Sequence, residues 1–204
     1  MQTQEGTAGL ILDAARTCLF SDGYAGLSTR KIAQTAGVPL SQVHYHFGSK
    51  QGMVLALLEA ENRRRLDRQA SMYAQDAPLW RRYEQACDFL EDDIDSGFVR
   101  ILQEMIAAGW STPEIAEAAK QMLAGWYEIL TQVSREAAET LGGLGPFTPE
   151  EMASLIGNVF IGSEALLLLG FDRHEIPIRS ALRRIGELIR LAEERSIRSN
   201  GGRR

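Results

Sequence analysis

Residues 33–47 read AQTAGVPLSQVHYHF, and this stretch decides how the N-terminal part of the chain folds. One helical pattern ends at Gly37, where a turn needs an unusual backbone angle, and a second begins after Pro39. The residue before a proline prefers an extended backbone, which separates the two helices. The spacing of Ala33, Gly37 and Val43 describes a helix-turn-helix, whose second helix lies in the major groove of DNA.

Helical periodicity covers nearly the whole chain and predicts an all-α protein with about nine helices. Alternating apolar and polar runs, which are typical of strands, do not stand out. Asp22-Gly23 ends the first predicted helix, and Ser28 is a natural N-cap for the second. The predicted helices cover about 7–21, 29–36, 40–46 and 50–74, and further helices begin near Pro78, Gly97, Ser111, Thr148 and Glu175.

These elements predict two domains and a tail. Residues 1–50 hold three short helices and form the helix-turn-helix domain, whereas residues 51–198 form a larger helical body. Residues 199–204 read SNGGRR and are predicted to be a flexible tail.

Composition and charge narrow the class of protein. Hydrophobic residues make up 45% of the chain, which is enough for a real core. The formal charge is -5, but residues 1–54 hold four Lys or Arg against three Asp or Glu, so this part is the less acidic one. Cys18 and Cys87 form neither a disulfide framework nor a metal spacing. The N-terminus lacks a signal-peptide pattern and the apolar run 152–171 includes Glu164, so we expect a cytoplasmic protein without a membrane span.

Residues 27–60 carry a family resemblance. They read LSTRKIAQTAGVPLSQVHYHFGSKQGMVLALLEA, and they resemble the DNA-binding segment of tetracycline-repressor-type (TetR-type) regulators. The resemblance covers roughly residues 10–58. Its parts follow in this order: a helix, Gly-Tyr, a Ser/Thr-rich helix start, the pattern IA..AGV and the pattern Y.HF.SK. The rest of the chain agrees with that family in length and helical content but carries no motif.

The resemblance implies which residues contact double-stranded DNA. Arg30 matches a position at a base edge, and arginine can bind guanine through two hydrogen bonds, as Gln42 can with adenine. Lys50 matches a phosphate-binding lysine at a helix N-terminus, where the helix dipole also attracts phosphate. His44 and His46 match phosphate-contacting positions, while Tyr45 matches an aromatic that packs or contacts the DNA backbone. The full candidate set is Thr29, Arg30, Leu40, Ser41, Gln42, His44, Tyr45, His46 and Lys50.

The chain departs from the family pattern at three places. Pro39 stands where the family usually has a Ser or Thr that caps the recognition helix. His44 stands where a tyrosine is usual, and Gln51-Gly52 replaces the usual glutamates. These departures bear on the operator sequence and on the strength of the backbone contacts, whereas the fold is unaffected.

The two histidines have other interpretations. His44 and His46 point about 200° apart on a helix, so they cannot share a metal ion. No nucleophile or carboxylate accompanies them, so we expect no catalytic site, no metal and no cofactor. Phosphate or groove contact and plain surface packing remain as interpretations. The run Arg63-Arg64-Arg65 is similarly either a solvated helix face or a DNA contact.

The helical body holds many large side chains, which are either core or the lining of an apolar pocket. The resemblance implies a small-molecule pocket between the fourth and eighth helices. Glu164 lies in the apolar stretch LIGNVFIGSEALLLLG, and it is either a ligand anchor or half of a salt bridge, for example with an arginine of the ninth helix. The pocket candidates are Tyr83, Cys87, Phe98, Leu102, Met105, Trp110, Met122, Trp126, Tyr127, Phe160 and Glu164.

The last two helices are candidates for a dimer interface. The eighth is apolar almost all round, and the ninth has apolar residues at coiled-coil spacing. The alternative is packing within one chain. Two recognition helices related by a two-fold axis read a palindrome, which one short helix cannot do. The interface candidates are Leu155, Val159, Leu166, Ile178, Leu182, Ile185 and Ile189.

The combined expectation is a homodimeric repressor that binds a palindromic operator and is released by a small apolar or amphipathic ligand. A ligand-dependent activator is the first alternative, since no motif encodes the sign of the coupling. An all-helical enzyme that uses the pocket and a protein-interaction module are the others. We expect a regulator and not an enzyme.

Overall fold

The computed structural model describes residues 6–171 and 174–201 of the chain. Within these residues the secondary structure consists of nine α-helices without β-strands, which confirms the predicted fold class. The helices are α1 (Thr7–Gly26), α2 (Thr29–Ala36), α3 (Leu40–Phe47), α4 (Lys50–Tyr73), α5 (Leu79–Asp95), α6 (Phe98–Gly109), α7 (Pro113–Leu141), α8 (Pro149–Leu168) and α9 (Ile178–Gly201).

Local capping signals set several helix ends where the sequence predicts them. The Ser28 hydroxyl accepts a 3.2 Å hydrogen bond from the N–H of Lys31 and so caps α2. Gly37 ends α2 in the left-handed conformation, with φ at 67°. A reciprocal capping box between Thr148 and Glu151 starts α8.

Three helix ends differ from the prediction. α1 does break at Gly23, where φ is 70° and ψ is 175°, but a further helical turn carries it to Gly26. α9 begins at Ile178 and not near Glu175, because the residue before Pro177 is disfavoured in the helical conformation. α9 continues to Gly201, past the predicted start of the tail, and residues 202–204 lie outside the described part.

The chain forms two compact units, and neither is one continuous stretch of sequence. The first contains the residues up to Arg65 together with Gly97–Met122, and the second contains Leu66–Ser96 together with the residues from Leu123 onward. The helix-turn-helix therefore shares its unit with α6 and the start of α7. The domain boundary at residue 50 stays a prediction.

In the first unit α1 is the central helix. It packs against α2, α3 and α6. The fully buried side chains Ile11 and Leu19 of α1 lie in the same unit as Ile32 of α2, Val43 of α3 and Met105 of α6. This core fixes the angle between α2 and α3 and so positions the recognition helix.

In the second unit α5 packs along α9. On its buried side α5 carries Leu79, Tyr83, Cys87 and Leu90. Ion pairs flank this contact, with Arg179 on Glu91 at 2.8 Å and Arg183 on Asp88 at 2.6 Å.

The N-terminus of α5 is capped from α9. Pro78 precedes α5 and provides no side-chain cap. The Glu193 carboxylate accepts hydrogen bonds from the N–H groups of Leu79 at 2.9 Å and Trp80 at 3.1 Å. Glu193 is only 8% exposed, so a negative charge is held inside the unit at the positive end of the α5 dipole.

Candidate nucleic-acid interface

The recognition helix α3 is anchored by one fully buried side chain and presents several polar side chains outward. Val43 is 1% exposed and anchors α3 in the core. Ser41, His44 and Tyr45 are exposed, and Tyr45 reaches 81%. A polar outer surface on a short anchored helix fits insertion into a groove.

The start of α3 is capped by backbone alone. Pro39 provides no side-chain acceptor, although its carbonyl accepts a 2.9 Å hydrogen bond from the N–H of Gln42. At this departure from the family pattern, α3 therefore lacks a side-chain cap. The first N–H groups of α3 are left for another acceptor, and a DNA phosphate oxygen is a suitable one.

His44 is tied to the turn that follows α3. Its Nδ1 lies 3.1 Å from the carbonyl oxygen of Gly48, and because a carbonyl only accepts, Nδ1 carries the proton. In the neutral ring Nε2 is then an acceptor, which suits a donor on a base edge. A phosphate contact through Nε2 requires the imidazolium form.

The two cations on the first turn of α2 have different surroundings. Lys31 forms a 2.5 Å ion pair with Asp22, and this hydrogen bond lowers the pKa of the Asp22 carboxyl. Arg30 is exposed, while Thr29 beside it is half-buried. Since Asp22 offsets the charge of Lys31, Arg30 is the better candidate for a contact with DNA.

Lys50 is the first residue of α4, and its ammonium lies 4.6 Å from the centre of the Tyr24 ring. The Ser49 hydroxyl accepts the N–H of Gly52 at 3.0 Å, which caps the helix beside the lysine. A Cβ at Gly52 would overlap the carbonyl oxygen of Phe47, the last residue of α3. Glycine at this departure from the family pattern therefore permits a close approach of α4 to α3.

The arginine run on α4 is paired within its own helix. Arg63 lies 2.8 Å from Glu59, while Arg64 and Arg65 lie 3.5 and 2.7 Å from Glu61. Glu61 is only 6% exposed. Arg63 and Arg64 remain 70% and 68% exposed, as expected for a solvated helix face, whereas Arg65 is only 12% exposed. Among the described residues, no three His, Cys, Asp or Glu side chains are grouped so that they could hold a metal ion.

Comparison with known proteins agrees with this geometry. Residues 11–57 match the family model of bacterial regulatory proteins, tetR family. This segment is a TetR-family helix-turn-helix domain. The HTH-type transcriptional repressor AcnR of Corynebacterium glutamicum is 36% identical over 47 residues, which are 23% of this chain. The match spans 25% of that repressor, so the chain corresponds to about a quarter of this relative's length.

The fold is similar to that of TetR-type regulators well beyond this segment. A TetR transcriptional regulator from Legionella pneumophila superposes with a TM-score of 0.72 at 18% identity, over 92% of this chain and 98% of that one. The transcriptional regulator FadR of Bacillus subtilis, in complex with stearoyl-CoA, gives 0.72 at 16% identity, over 88% and 96%. The chain therefore has the TetR-type all-α fold.

The predicted pocket residues fall into both compact units. In the second unit the rings of Tyr83 and Trp126 lie 6.0 and 6.3 Å from that of Phe160, both edge-on, and Tyr127 lies 5.5 Å from Trp126. In the first unit four of the residues are buried, and they are Phe98, Leu102, Met105 and Met122.

Trp110 does not fit the predicted pocket lining. It is 84% exposed at the C-cap of α6, where the chain leaves the helix next to Gly109. Its size alone placed it among the candidates, and the position at a helix end turns it outward.

Cys87 and Glu164 are both buried in the second unit. Burial raises the pKa of the Cys87 thiol to about 11, so this thiol stays protonated at neutral pH, and its place in a pocket stays a prediction. Glu164 is 8% exposed. Among the arginines of α9, Arg179 and Arg183 already bind carboxylates of α5, and the role of Glu164 as ligand anchor or structural group stays a prediction.

The dimer candidates separate by exposure. Leu155 and Val159 of α8 are 46% and 42% exposed, whereas Ile178 and Leu182 of α9 are 7% and 3% exposed. Ile178 and Leu182 belong to the interior of this chain, because α9 packs along α5. They are core residues, and their prediction as interface residues was wrong. The predicted residues Leu166, Ile185 and Ile189 are intermediate, and the exposed apolar residues of α9 are Leu188, Leu191 and Ile197.

Proposed function

We propose that this chain is a homodimeric transcriptional repressor that binds a palindromic operator through α2 and α3 and is released by a small apolar or amphipathic ligand. The observation that carries the proposal is the anchored recognition helix, whose outward face holds Ser41, His44 and Tyr45 beside the cations Arg30 and Lys50. The TetR-family match of the same segment supports DNA as the partner.

Two comparisons support the finer statement. The matched AcnR is a repressor, which favours repression over activation. FadR of B. subtilis binds a long-chain acyl-CoA within the same fold, which favours an apolar or amphipathic effector. The aromatic group around Phe160 is the best place for such a ligand in the second unit, since three rings meet there edge-on.

Exposed apolar surface supports the dimer. α8 is long and apolar enough to cross a membrane by length and composition alone, yet a core helix of a soluble protein passes the same test. Only 22% of its most apolar window is buried in the single chain. A second copy packed on Leu155 and Val159 would cover this surface, and a two-fold axis would place two α3 helices on one palindrome.

The direct test is fluorescence anisotropy with double-stranded DNA from upstream of the chain's own gene and with scrambled DNA, at several salt concentrations. We expect clearly tighter binding to the upstream DNA and a log affinity that falls linearly with log salt. Absence of binding to either DNA at low salt would refute the proposal. Subsequent addition of ligands separates a repressor, which is released, from a ligand-dependent activator, which binds more tightly.

Substitution of Arg30 should reduce the preference of the protein for one DNA sequence over another. Arg30→Ala should weaken binding to the upstream DNA by about 1–3 kcal/mol, because a base contact through two hydrogen bonds is lost. Binding to scrambled DNA should change much less. Arg63→Ala is the matched control, since Arg63 is exposed but paired with Glu59. If the two substitutions weaken binding equally, Arg30 does not contact a base.

Substitution of Lys50 should act on every sequence alike. Lys50→Ala should weaken binding to upstream and scrambled DNA to a similar extent and reduce the slope of log affinity against log salt by about one. The measurement is the same titration over a range of salt. A loss confined to the upstream DNA would contradict a phosphate contact.

A further inference from the structure

The helix α1 is broken at Gly23, and the break frees two backbone groups. In a regular helix the N–H of Tyr24 would bond the carbonyl of Phe20, four residues earlier. The φ of 70° and ψ of 175° at Gly23 are far from helical values, so these two groups no longer face each other. The freed donor, which is part-buried, and the freed acceptor each find a new partner.

Two side chains of α6 replace the missing hydrogen bond. The Glu104 carboxylate accepts the N–H of Tyr24 at 2.6 Å, and the Arg100 guanidinium donates to the carbonyl of Phe20 at 3.4 Å. Arg100 and Glu104 also bind each other, with Nε 2.9 Å from Oε1. The Arg100–Glu104 ion pair thus occupies the broken turn. Its carboxylate binds the Tyr24 N–H, and its guanidinium binds the Phe20 carbonyl.

The fit around this ion pair is close. A Cβ at Gly23 would lie 2.6 Å from Nη2 of Arg100 and 3.0 Å from Oε1 of Glu104. Glycine is therefore needed for two reasons, the positive φ and the space for the pair. The two side chains are 45% and 30% exposed, yet each of them also bonds a backbone group of the broken turn.

Tyr24 connects the break to the candidate DNA surface. Its backbone is held by Glu104, and its ring lies beneath the ammonium of Lys50 at 4.6 Å. A cation above an aromatic ring is held by the ring quadrupole, which restricts where the ammonium can go. The ring therefore determines where Lys50 presents its charge.

The geometry points to the Arg100–Glu104 pair of α6 as a positioning element for DNA binding, which acts through Tyr24 to place the ammonium of Lys50 against a backbone phosphate. This inference rests on the proposed function. Neither Glu104 nor Arg100 touches DNA in it, and their charges cancel, so the effect is one of position.

The sign of the effect separates positioning from plain electrostatics. Removal of a negative charge near DNA should strengthen binding if only long-range charge matters. Glu104→Leu removes both the charge and the acceptor of the Tyr24 N–H, whereas Glu104→Gln removes the charge but keeps an acceptor. Positioning predicts weaker binding for the first variant and near wild-type binding for the second, which a charge effect cannot produce.

The experiment measures affinity for scrambled double-stranded DNA against salt, since a phosphate contact does not need the operator. We expect Glu104→Leu to weaken binding about two- to fivefold, the size of a lost cation–π restraint, and to lower the salt slope toward that of Lys50→Ala. Glu104→Gln should restore the slope. In the Lys50→Ala background, Glu104→Leu should have no further effect.

Controls keep the outcomes distinct. Glu117→Gln replaces an exposed carboxylate of the same unit that pairs with Lys120, and it should leave binding unchanged. Thermal unfolding of each variant identifies loss of fold. Equal affinities of Glu104→Leu and Glu104→Gln, or an unchanged Glu104→Leu effect without Lys50, would overturn the inference and leave the DNA-binding proposal standing. Failure of the unsubstituted chain to bind DNA would instead overturn the proposed function.

Discussion

Glu193→Ala should lower the free energy of unfolding by about 2–4 kcal/mol, because the buried N–H of Leu79 and the part-buried N–H of Trp80 lose their acceptor at once. The carboxylate caps the start of α5 from α9, where Pro78 offers no cap of its own. The lost interaction with the α5 dipole adds to the effect. For a chain of this size the melting temperature should fall by about 5–10 °C, measured by circular dichroism at fixed protein concentration.

The neighbouring residue provides the control. Glu194 pairs only loosely with Arg190, at 3.8 Å and with both side chains about half exposed, so Glu194→Ala should change stability by less than about 0.5 kcal/mol. Glu193→Gln should lose roughly half as much as Glu193→Ala, because the amide has one acceptor oxygen for two N–H groups. Similar melting temperatures for the two alanine variants would show that the cap contributes little.

Gly52→Ala should lower the free energy of unfolding by about 2–3 kcal/mol and weaken binding to all DNA sequences. The added Cβ overlaps the carbonyl oxygen of Phe47, and backbone cannot rotate away as a flexible side chain can. The first turn of α4 must therefore move from the end of α3, and Lys50 moves with it. Chemical denaturation measures the stability, and anisotropy with scrambled DNA measures the binding.

A second helical glycine gives the opposite sign. Gly162 lies in α8 with no atom of the same chain within 4 Å of an added Cβ, so Gly162→Ala should stabilise the monomer by up to about 1 kcal/mol through helix propensity. Because Gly162 shares a helix face with Leu155 and Val159, this is measured at a protein concentration low enough to keep the chain monomeric. Both unfolding curves should be recorded at the same protein concentration. A Gly52→Ala protein that is as stable as Gly162→Ala would contradict the close approach of α4 to α3.

Local signals were sufficient for much of the fold. Ser28 and Gly37 bound α2 as predicted, since an N-cap and a left-handed C-terminal glycine act within a few residues. The same holds for the capping box at Thr148. The spacing of Ala33, Gly37 and Val43 predicted the helix-turn-helix, and the residue motif around it predicted the family that residues 11–57 match.

Contacts between distant residues could not be predicted in this way. Glu193 caps a helix 114 residues away in sequence, and Glu104 holds an amide 80 residues away. Neither glutamate belongs to a motif, because any exposed helix carries similar residues. The sequence correctly placed an apolar face on α9. Periodicity does not show which helix such a face packs against, and in this chain α5 covers Ile178 and Leu182.

The broken turn of α1 limits how the DNA-reading part can be transplanted. A chimera that joins only the residues before α5 to the body of another regulator would leave the N–H of Tyr24 without the Glu104 carboxylate. Such a graft must carry α6 along, or restore an unbroken helix by Gly23→Ala, which is compatible with the graft only once the Arg100–Glu104 pair is absent. To transfer the proposed DNA specificity to another regulator, both the N-terminal helices and α6 must therefore be transferred, although they are separate stretches of sequence.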